Sequence, residues 1–303
     1  MGTAQFAVPA LKKLRASRYQ VIGVVTQPDR PSGRGRGVRV SPVKQVALDA
    51  GIPIYQPEKV RSEDFITLVR QMSPDAIVVA AFGQIIPKAI LDIPRLGNVN
   101  VHASLLPRYR GAAPVHHALF NGETVTGVTT MLMDPGLDTG PILLQKAVEI
   151  SPDDDEGTLE ARLAEAGADL LIQTLDLLEK GAIAPKPQDD SLATHAPSVK
   201  KEDCRVGWNQ DSRTIVNRIR GCTPRPGGYA LFGDSMLGIW SCEAADRGSG
   251  SPGEVIEVGR NGIVVKAGQG AVLLTEVQPE NRKRMTAGDF ARGYGIAVGT
   301  RLS

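Results

Sequence analysis

The sequence predicts an α/β chain in two parts. A mostly parallel, doubly wound (Rossmann-like) sheet domain, lacking its first strand, precedes a small OB-like β-barrel. Three observations predict this. Short β-branched or apolar runs alternate with helix-like stretches through the first two-thirds, the rhythm of βαβ units. The run at 76–81, AIVVAA, is apolar throughout, as in a strand covered on both faces. Beyond residue 204 the pattern changes to closely spaced short strands separated by Gly turns, the signature of a small barrel.

The elements follow in order. Met1, Gly2 and Thr3 lead almost directly into a helix over 6–15. A parallel sheet of this kind normally opens on a strand that feeds a Gly-containing turn, so either the fold lacks a central strand or the true start lies upstream of Met1, and the second is expected. A strand at 21–26 ends in the turn Gln27, Pro28, Asp29, and helices at 42–50 and 64–72 flank the apolar strand at 76–81. Strands at 98–102, 127–132 and 142–150 complete the sheet. Leu159, Leu163, Leu170, Leu171, Leu175 and Leu178 line one stripe of a long helix that Gly181 is placed to stop, and this stripe reads as core packing. The stretch 184–198, APKPQDDSLATHAPS, reads as an interdomain linker. Trp208 and a helical run to Arg220 follow, then strand patterns at 229–232, 237–240, 253–258, 262–265 and 271–277. The expected domains are therefore 1–183, a linker over 184–203, and 204–303.

Composition narrows the functional classes. The 303 residues are 42% hydrophobic and 22% charged, ordinary for a globular protein with one large and one small core. No apolar run approaches the roughly 20 residues needed to span a bilayer, and no signal-peptide pattern opens the chain. A cytoplasmic monomer with no membrane partner is expected. Cys204, Cys222 and Cys242 are odd in number, without a CxxC pair or a nearby His. They read as reduced thiols rather than a disulfide framework, and no metal is expected. Net charge is +2 but uneven: from Lys200 onward 15 Lys and Arg face 11 Asp and Glu. That excess is compatible with a polyanionic partner.

The chemistry concentrates at 98–114, NVNVHASLLPRYRGAAP, and at 133–140, MDPGLDTG. Asn100 and His102 lie two apart on one strand, so both side chains face the same side. Imidazole, with an ordinary pKa near 6.5, can take or give a proton at neutral pH. Asp138 is placed to orient it and stabilise its protonated form, and Asn100 to donate to a developing oxyanion. The plainer reading of Asp138 is a turn residue in GLDTG. His116 and His117 read as structural or surface residues, and His195 belongs to the linker. Ser104, Leu105, Leu106 and Pro107 form an apolar loop with exposed backbone groups, fit for a flat heteroaromatic ring. The basic loop at 28–39, PDRPSGRGRGVR, is either a solvated surface or a grip on phosphates through Arg30, Arg34, Arg36 and Arg39. No GxGxxG follows a strand, which argues against a dinucleotide site.

At these residues the chain resembles the formyltransferases that use 10-formyltetrahydrofolate. Their pattern N-x-H-x-S-L-L-P-x-x-x-G-x-x-P is met by Asn100, His102, Ser104 to Pro107, Gly111 and Pro114, and their aspartate block by Asp138. These motifs imply the chemistry but not the acceptor. Three other features resemble the methionyl-tRNA formyltransferase family: Gly2, Thr3 and the following FAVP; TQPDRPSGRGR with Ser41 to Lys44, similar to a tRNA-contacting insertion; and the β-rich C-terminal part. The resemblance implies formyl transfer to initiator methionyl-tRNA, with Asn100, His102 and Asp138 catalytic. It implies a folate wall of Ser104, Leu105, Leu106 and Pro107 facing Phe82, Gly83 and Ile86, and tRNA contacts at Arg30, Arg34, Arg36 and Lys44. The chain departs from the pattern in its missing first strand and in Ala103, where many relatives carry Gly. A small amine or water as acceptor, and a catalytically silent RNA-binding protein on the same scaffold, are the alternatives.

Overall fold

The computed structural model describes residues 1–31, 38–246 and 248–303. Its chain forms two units: residues 1–111, 125–149 and 160–195 make the first, and 112–124, 150–159 and 196–303 the second.

A 3₁₀ turn at Gln5–Ala7 runs into α1 (Val8–Ala16), with Pro9 in the first turn, where its missing N–H costs nothing. β1 (Val24–Val25) follows, then β2 (Arg30–Pro31), paired antiparallel with β3 (Val38–Arg39). α2 (Pro42–Asp49) starts at Ser41, whose hydroxyl accepts the Lys44 N–H at 3.2 Å, a side-chain N-cap. β4 (Ile54–Tyr55) pairs parallel with β1. Then come α3 (Glu63–Met72), β5 (Ile77–Val79), α4 (Lys88–Leu91), β6 (Asn98–His102), α5 (Pro114–Phe120), β7 (Val125–Leu132), β8 (Ile142–Glu149) and α6 (Glu156–Glu179).

The strands of the first unit form two pieces, β1–β4 and β5–β6–β7–β8. Pairing is parallel between β5 and β6 but antiparallel from β6 to β7 and from β7 to β8, because residues 133–141 join β7 to β8 as a hairpin. The sheet is thus parallel on one side and antiparallel on the other.

Met1 and Gly2 tie the two pieces together. Gly2 N–H donates to Val25 O at 2.9 Å, Ala80 N–H to Met1 O at 3.0 Å, and the Met1 amine to Val78 O at 2.6 Å. Beside them a cavity of ≈ 350 Å³ is lined by residues of both pieces, among them Gly23, Val25, Ile77 and Val78. Burial lowers the Met1 amine to a pKa of about 5.

The faces of β6 set up everything that follows. Val99 and Val101 are buried toward α6, where Gly167 allows a close approach: a Cβ there would lie 2.7 Å from Val101 Cγ1. Each such valine contributes about 1.5–3 kcal/mol of burial. Asn98, Asn100 and His102 point to the opposite face, which belongs to α3 and α4. Phe65, Ile66 and Val69 of α3 and Ile90 of α4 share a core there with Ile77 and Val79.

In the second unit α7 (Ser212–Cys222), capped by Asp211 on Thr214 N–H, packs on α5 and on the strands. β9 (Gly228–Phe232), β10 (Ser235–Ala245), β11 (Val255–Gly259), β12 (Gly262–Lys266) and β13 (Ala271–Pro279) pair antiparallel in the order β11–β12–β13–β10–β9. β14 (Met285–Thr286) adds to β13 and leads into α8 (Ala287–Tyr294). The last residues close the ring: Leu302 N–H donates to Gly253 O at 2.8 Å, and Leu231 and Ser303 exchange bonds at 2.6 and 2.9 Å. The barrel expected from the sequence is present and closed, around Ile239, Ile263, Leu274 and Phe290.

One expectation is overturned here. Cys204 and Cys222 form a disulfide, with Cα atoms 6.0 Å apart, and Cys242 is free. The two residues are 18 apart and share no short motif. They meet because a 3₁₀ turn at Glu202–Cys204 docks on the end of α7, which spacing alone does not reveal. Burial pushes the Cys242 thiol up to about 12, so it is a packing residue and not a reactive one.

Candidate active site

β6 delivers Asn100 and His102 to the same face, both buried, at the strand's carboxyl end. The 133–141 hairpin starts at the other end of that strand, since Leu132 pairs with Val99. To reach His102 it must double back over the face. Gly140 allows this, because a Cβ there would sit 1.8 Å from Leu132 O. Asp134 caps the turn by accepting from Thr139 Oγ1 at 2.7 Å and Gly136 N–H at 3.0 Å. Asp138 occupies the left-handed region at φ +54°.

The three polar groups converge there. Asp138 Oδ2 accepts the Gly111 N–H at 2.8 Å and lies 3.7 Å from His102 Nδ1, while Oδ1 is 3.4 Å from Asn100 Nδ2. His102 Nε2 is 2.9 Å from Tyr109 O. A carbonyl only accepts, so this nitrogen carries a hydrogen and Nδ1 is left facing the carboxylate. A proton on Nδ1 lies between imidazole and carboxylate. The arrangement can polarise a carbonyl through an amide N–H and relay a proton through the ring.

The loop after β6 is held just as tightly. Thr129 Oγ1 donates to Ser104 O at 2.6 Å and accepts from Leu106 N–H at 3.1 Å, and Ser104 Oγ donates to Arg108 O at 2.6 Å. Ser104 and Leu106 are buried, whereas Leu105 and Pro107 are partly exposed. On the loop after β5, Phe82 and Ile86 belong to the α3/α4 core and do not form an open wall. The exposed residues of that loop are Ala81, Gly83 and Ile85, the last 87% exposed. Leu137, next to Asp138, is 65% exposed. The sequence marks the loop as apolar but not which of its apolar residues turn inward.

Of the basic residues, Arg30 is exposed, and Arg34 and Arg36 lie outside the described residues. Lys44 forms an ion pair with Asp29 and donates to Gln56 Oε1 at 2.6 Å, while Gln56 Nε2 donates to Asp29 Oδ1 at 3.1 Å. The partners hold the Asp29 carboxyl below its ordinary range, through hydrogen bonds from Lys44 and then Gln56. Lys44 therefore braces the foot of the basic loop. His116 Nε2 and His117 Nε2 donate to the backbone carbonyls of Arg225 and Pro197, at 3.3 and 3.0 Å.

Residues that the sequence did not single out complete the site. Tyr109 receives His102, Arg110 is buried beside them, and Gln188 bonds the backbone of the Asp138 loop. No motif announces Gln188, because its contribution is made to carbonyl groups.

Comparison with known proteins identifies the lineage. The formyl transferase family model matches residues 1–175, and the formyl transferase C-terminal domain model matches residues 198–295. Methionyl-tRNA formyltransferase of Citrifermentans bemidjiense is 50% identical over 302 residues, covering 100% of this chain and 95% of that protein. The chain belongs to the methionyl-tRNA formyltransferase family. Its namesake in Syntrophus aciditrophicus is 49% identical, again over 100% of this chain and 97% of the relative. Among solved structures, WlaRD, a sugar 3N-formyltransferase crystallised with dTDP and 5-N-formyl-THF, shares the fold at a TM-score of 0.66 and 20% identity, covering 93% of this chain and 97% of WlaRD. HypX of Aquifex aeolicus in complex with tetrahydrofolic acid gives a TM-score of 0.61 at 17% identity over 83% of this chain. The chain spans 44% of HypX. Among the described residues, no helix is long and apolar enough to cross a membrane.

Proposed function

We propose that this chain transfers the formyl group of 10-formyltetrahydrofolate to the α-amino group of methionyl-initiator tRNA. The observation that carries the reading is the convergence of Asn100, His102 and Asp138 on one face at the end of β6. It occurs in a chain about half identical, along its whole length, to methionyl-tRNA formyltransferases.

The amine attacks the formyl carbon, a C–N bond forms to it, and the bond from that carbon to N10 of the folate breaks. One proton passes from the attacking nitrogen to the departing one. Asn100 donates an amide N–H to the tetrahedral oxyanion, an interaction whose loss typically lowers rates about 100- to 1000-fold. His102 carries the proton, with Asp138 Oδ2 beside Nδ1 to hold the ring's orientation and balance its charge. The flat folate ring lies against Leu105, Pro107 and the backbone of the 104–107 loop, with exposed Gly83 and Ile85 opposite. Arg30, Arg34 and Arg36 meet tRNA phosphates, on a footing that Lys44 secures from beneath. The C-terminal barrel unit (204–303) adds tRNA-binding surface to the catalytic unit (1–183), across the 184–203 segment. A monomer working in the cytoplasm, where initiator tRNA is used, fits this reading.

The test supplies labelled 10-formyltetrahydrofolate and charged initiator tRNA. Label on the methionyl nitrogen of the tRNA is the expected outcome. Label only on small amines, or only as free formate, overturns the acceptor.

A further inference from the structure

Residues 186–195, which composition marks as a linker, form a strap across the candidate site. At one end Lys186 exchanges both backbone bonds with Ile142, each 2.8 Å. At the other, Thr194 O accepts the Arg110 N–H at 2.8 Å and Thr194 Oγ1 the Tyr109 N–H at 2.8 Å. Between them sits Gln188. Its Nε2 donates to Asp138 O at 2.8 Å and to Gly140 O at 2.7 Å. Its Oε1 accepts from Arg110 Nε at 3.0 Å and Nη2 at 2.8 Å. The orientation of this amide is not ambiguous. A guanidinium has only donors, so it must face the oxygen and leave the NH₂ group for the two carbonyls. The Arg110 side chain is 5% exposed and also reaches Asp190 Oδ1 at 2.7 Å.

We propose that Gln188 is a positioning residue for Asp138, fastened in place by Arg110; the catalytic consequence rests on the formyl-transfer reading above. Asp138 sits at φ +54°, a backbone conformation that costs a non-glycine residue on the order of 1 kcal/mol and persists only where outside bonds hold it. Gln188 supplies those bonds on both sides of Thr139. The circuit then closes through one tripeptide. Tyr109 O takes the His102 ring, the Arg110 side chain holds Gln188, and Gly111 N–H holds the Asp138 carboxylate. One short segment therefore sets both members of the 3.7 Å pair, directly for His102 and partly through Gln188 for Asp138. Removing the Gln188 amide strips partners from two carbonyls and from a buried guanidinium at once, and it lets the hairpin drift.

Two measurements on the full chain test this. Gln188→Leu is expected to lower kcat about 10- to 30-fold while KM for both substrates stays within about twofold, the pattern of a misplaced group rather than lost binding. In an Asp138→Asn background the same substitution is expected to cost less than about twofold, because the group it positions is already gone. The second measurement needs no turnover: hydrogen exchange at the Gly111 amide should quicken about tenfold in Gln188→Leu as the carboxylate leaves it. Arg110→Lys, which keeps the charge but loses the fork, should reproduce both effects at smaller size, and it serves if Gln188→Leu does not fold. Equal cost in both backgrounds, a loss confined to KM, or unaltered Gly111 exchange would each overturn the proposal. A chain that transfers no formyl group to any acceptor would sink the functional reading alone, with the exchange measurement still deciding the positioning.

Discussion

In the barrel, residues 300–303 fill the seam between β9 and β11, whereas in the sheet β1 and β5 face each other across a cavity of ≈ 350 Å³ and Met1 with Gly2 bridges them. A closed ring of strands has no free edge, and its stability rests on one apolar core. A split sheet carries its load unevenly: β5–β6–β7–β8 is continuous and holds Asn100 and His102, while β1–β4 depends on few bonds. Within the first unit, the chemistry thus sits on the continuous piece and not on the weakly tied one.

Three experiments probe this contrast, the largest effect first. Phe290→Ala removes a ring that is 1% exposed and packs against Phe232 and Tyr294. It should destabilise the barrel by about 3–5 kcal/mol. Trp208 and Trp240 are the chain's two tryptophans and both lie in the second unit, so their fluorescence reads the barrel alone. Simultaneous loss of protection at Val101 in β6 would show that the units are not energetically separate.

His102→Ala and Asp138→Ala should each lower turnover at least about 100-fold, with denaturation midpoints of both units little changed. Near-normal rates in either variant would remove the pair from the mechanism.

The smallest effect is the pH dependence of the sheet. In a chain whose first residue is Met1, that amine ordinarily titrates at 8.0, and burial takes it to about 5 in the folded state. Between these values the unfolded chain binds the extra proton, so stability rises with pH across that window, and it is lost as pH falls from 8 toward 5. The loss should be about 1–3 kcal/mol by pH 6. Acetylating that amine should flatten this slope, as the neighbouring cavity has room for the added group; an unchanged slope would assign the dependence to other residues.

Legibility in the sequence followed the physics of each feature. The strand 98–102 emerged with its predicted bounds because Val99 and Val101 alternate with side chains that face the other way. The barrel strands emerged because Gly turns punctuate them. The antiparallel turn of the sheet at β7 and β8 did not, since strand patterns carry no direction. Asn100 and His102 were visible because a strand's period of two fixes their common face. Apolar character suits a core and a ligand wall equally, so the sequence did not reveal that Phe82 and Ile86 pack with α3 and α4. The disulfide was missed because two docked elements create it, and Gln188 because side-chain bonds to carbonyls leave no mark on spacing.

The bracing of Asp29, Lys44 and Gln56 beneath the basic loop has a practical consequence. Those three bonds tie Asp29, just before β2, to Lys44 on α2 and to Gln56, just after β4. A substitution at any one of the three leaves the other two with fewer partners, while every backbone bond of β5–β6–β7–β8, and with it the placement of Asn100 and His102, is untouched.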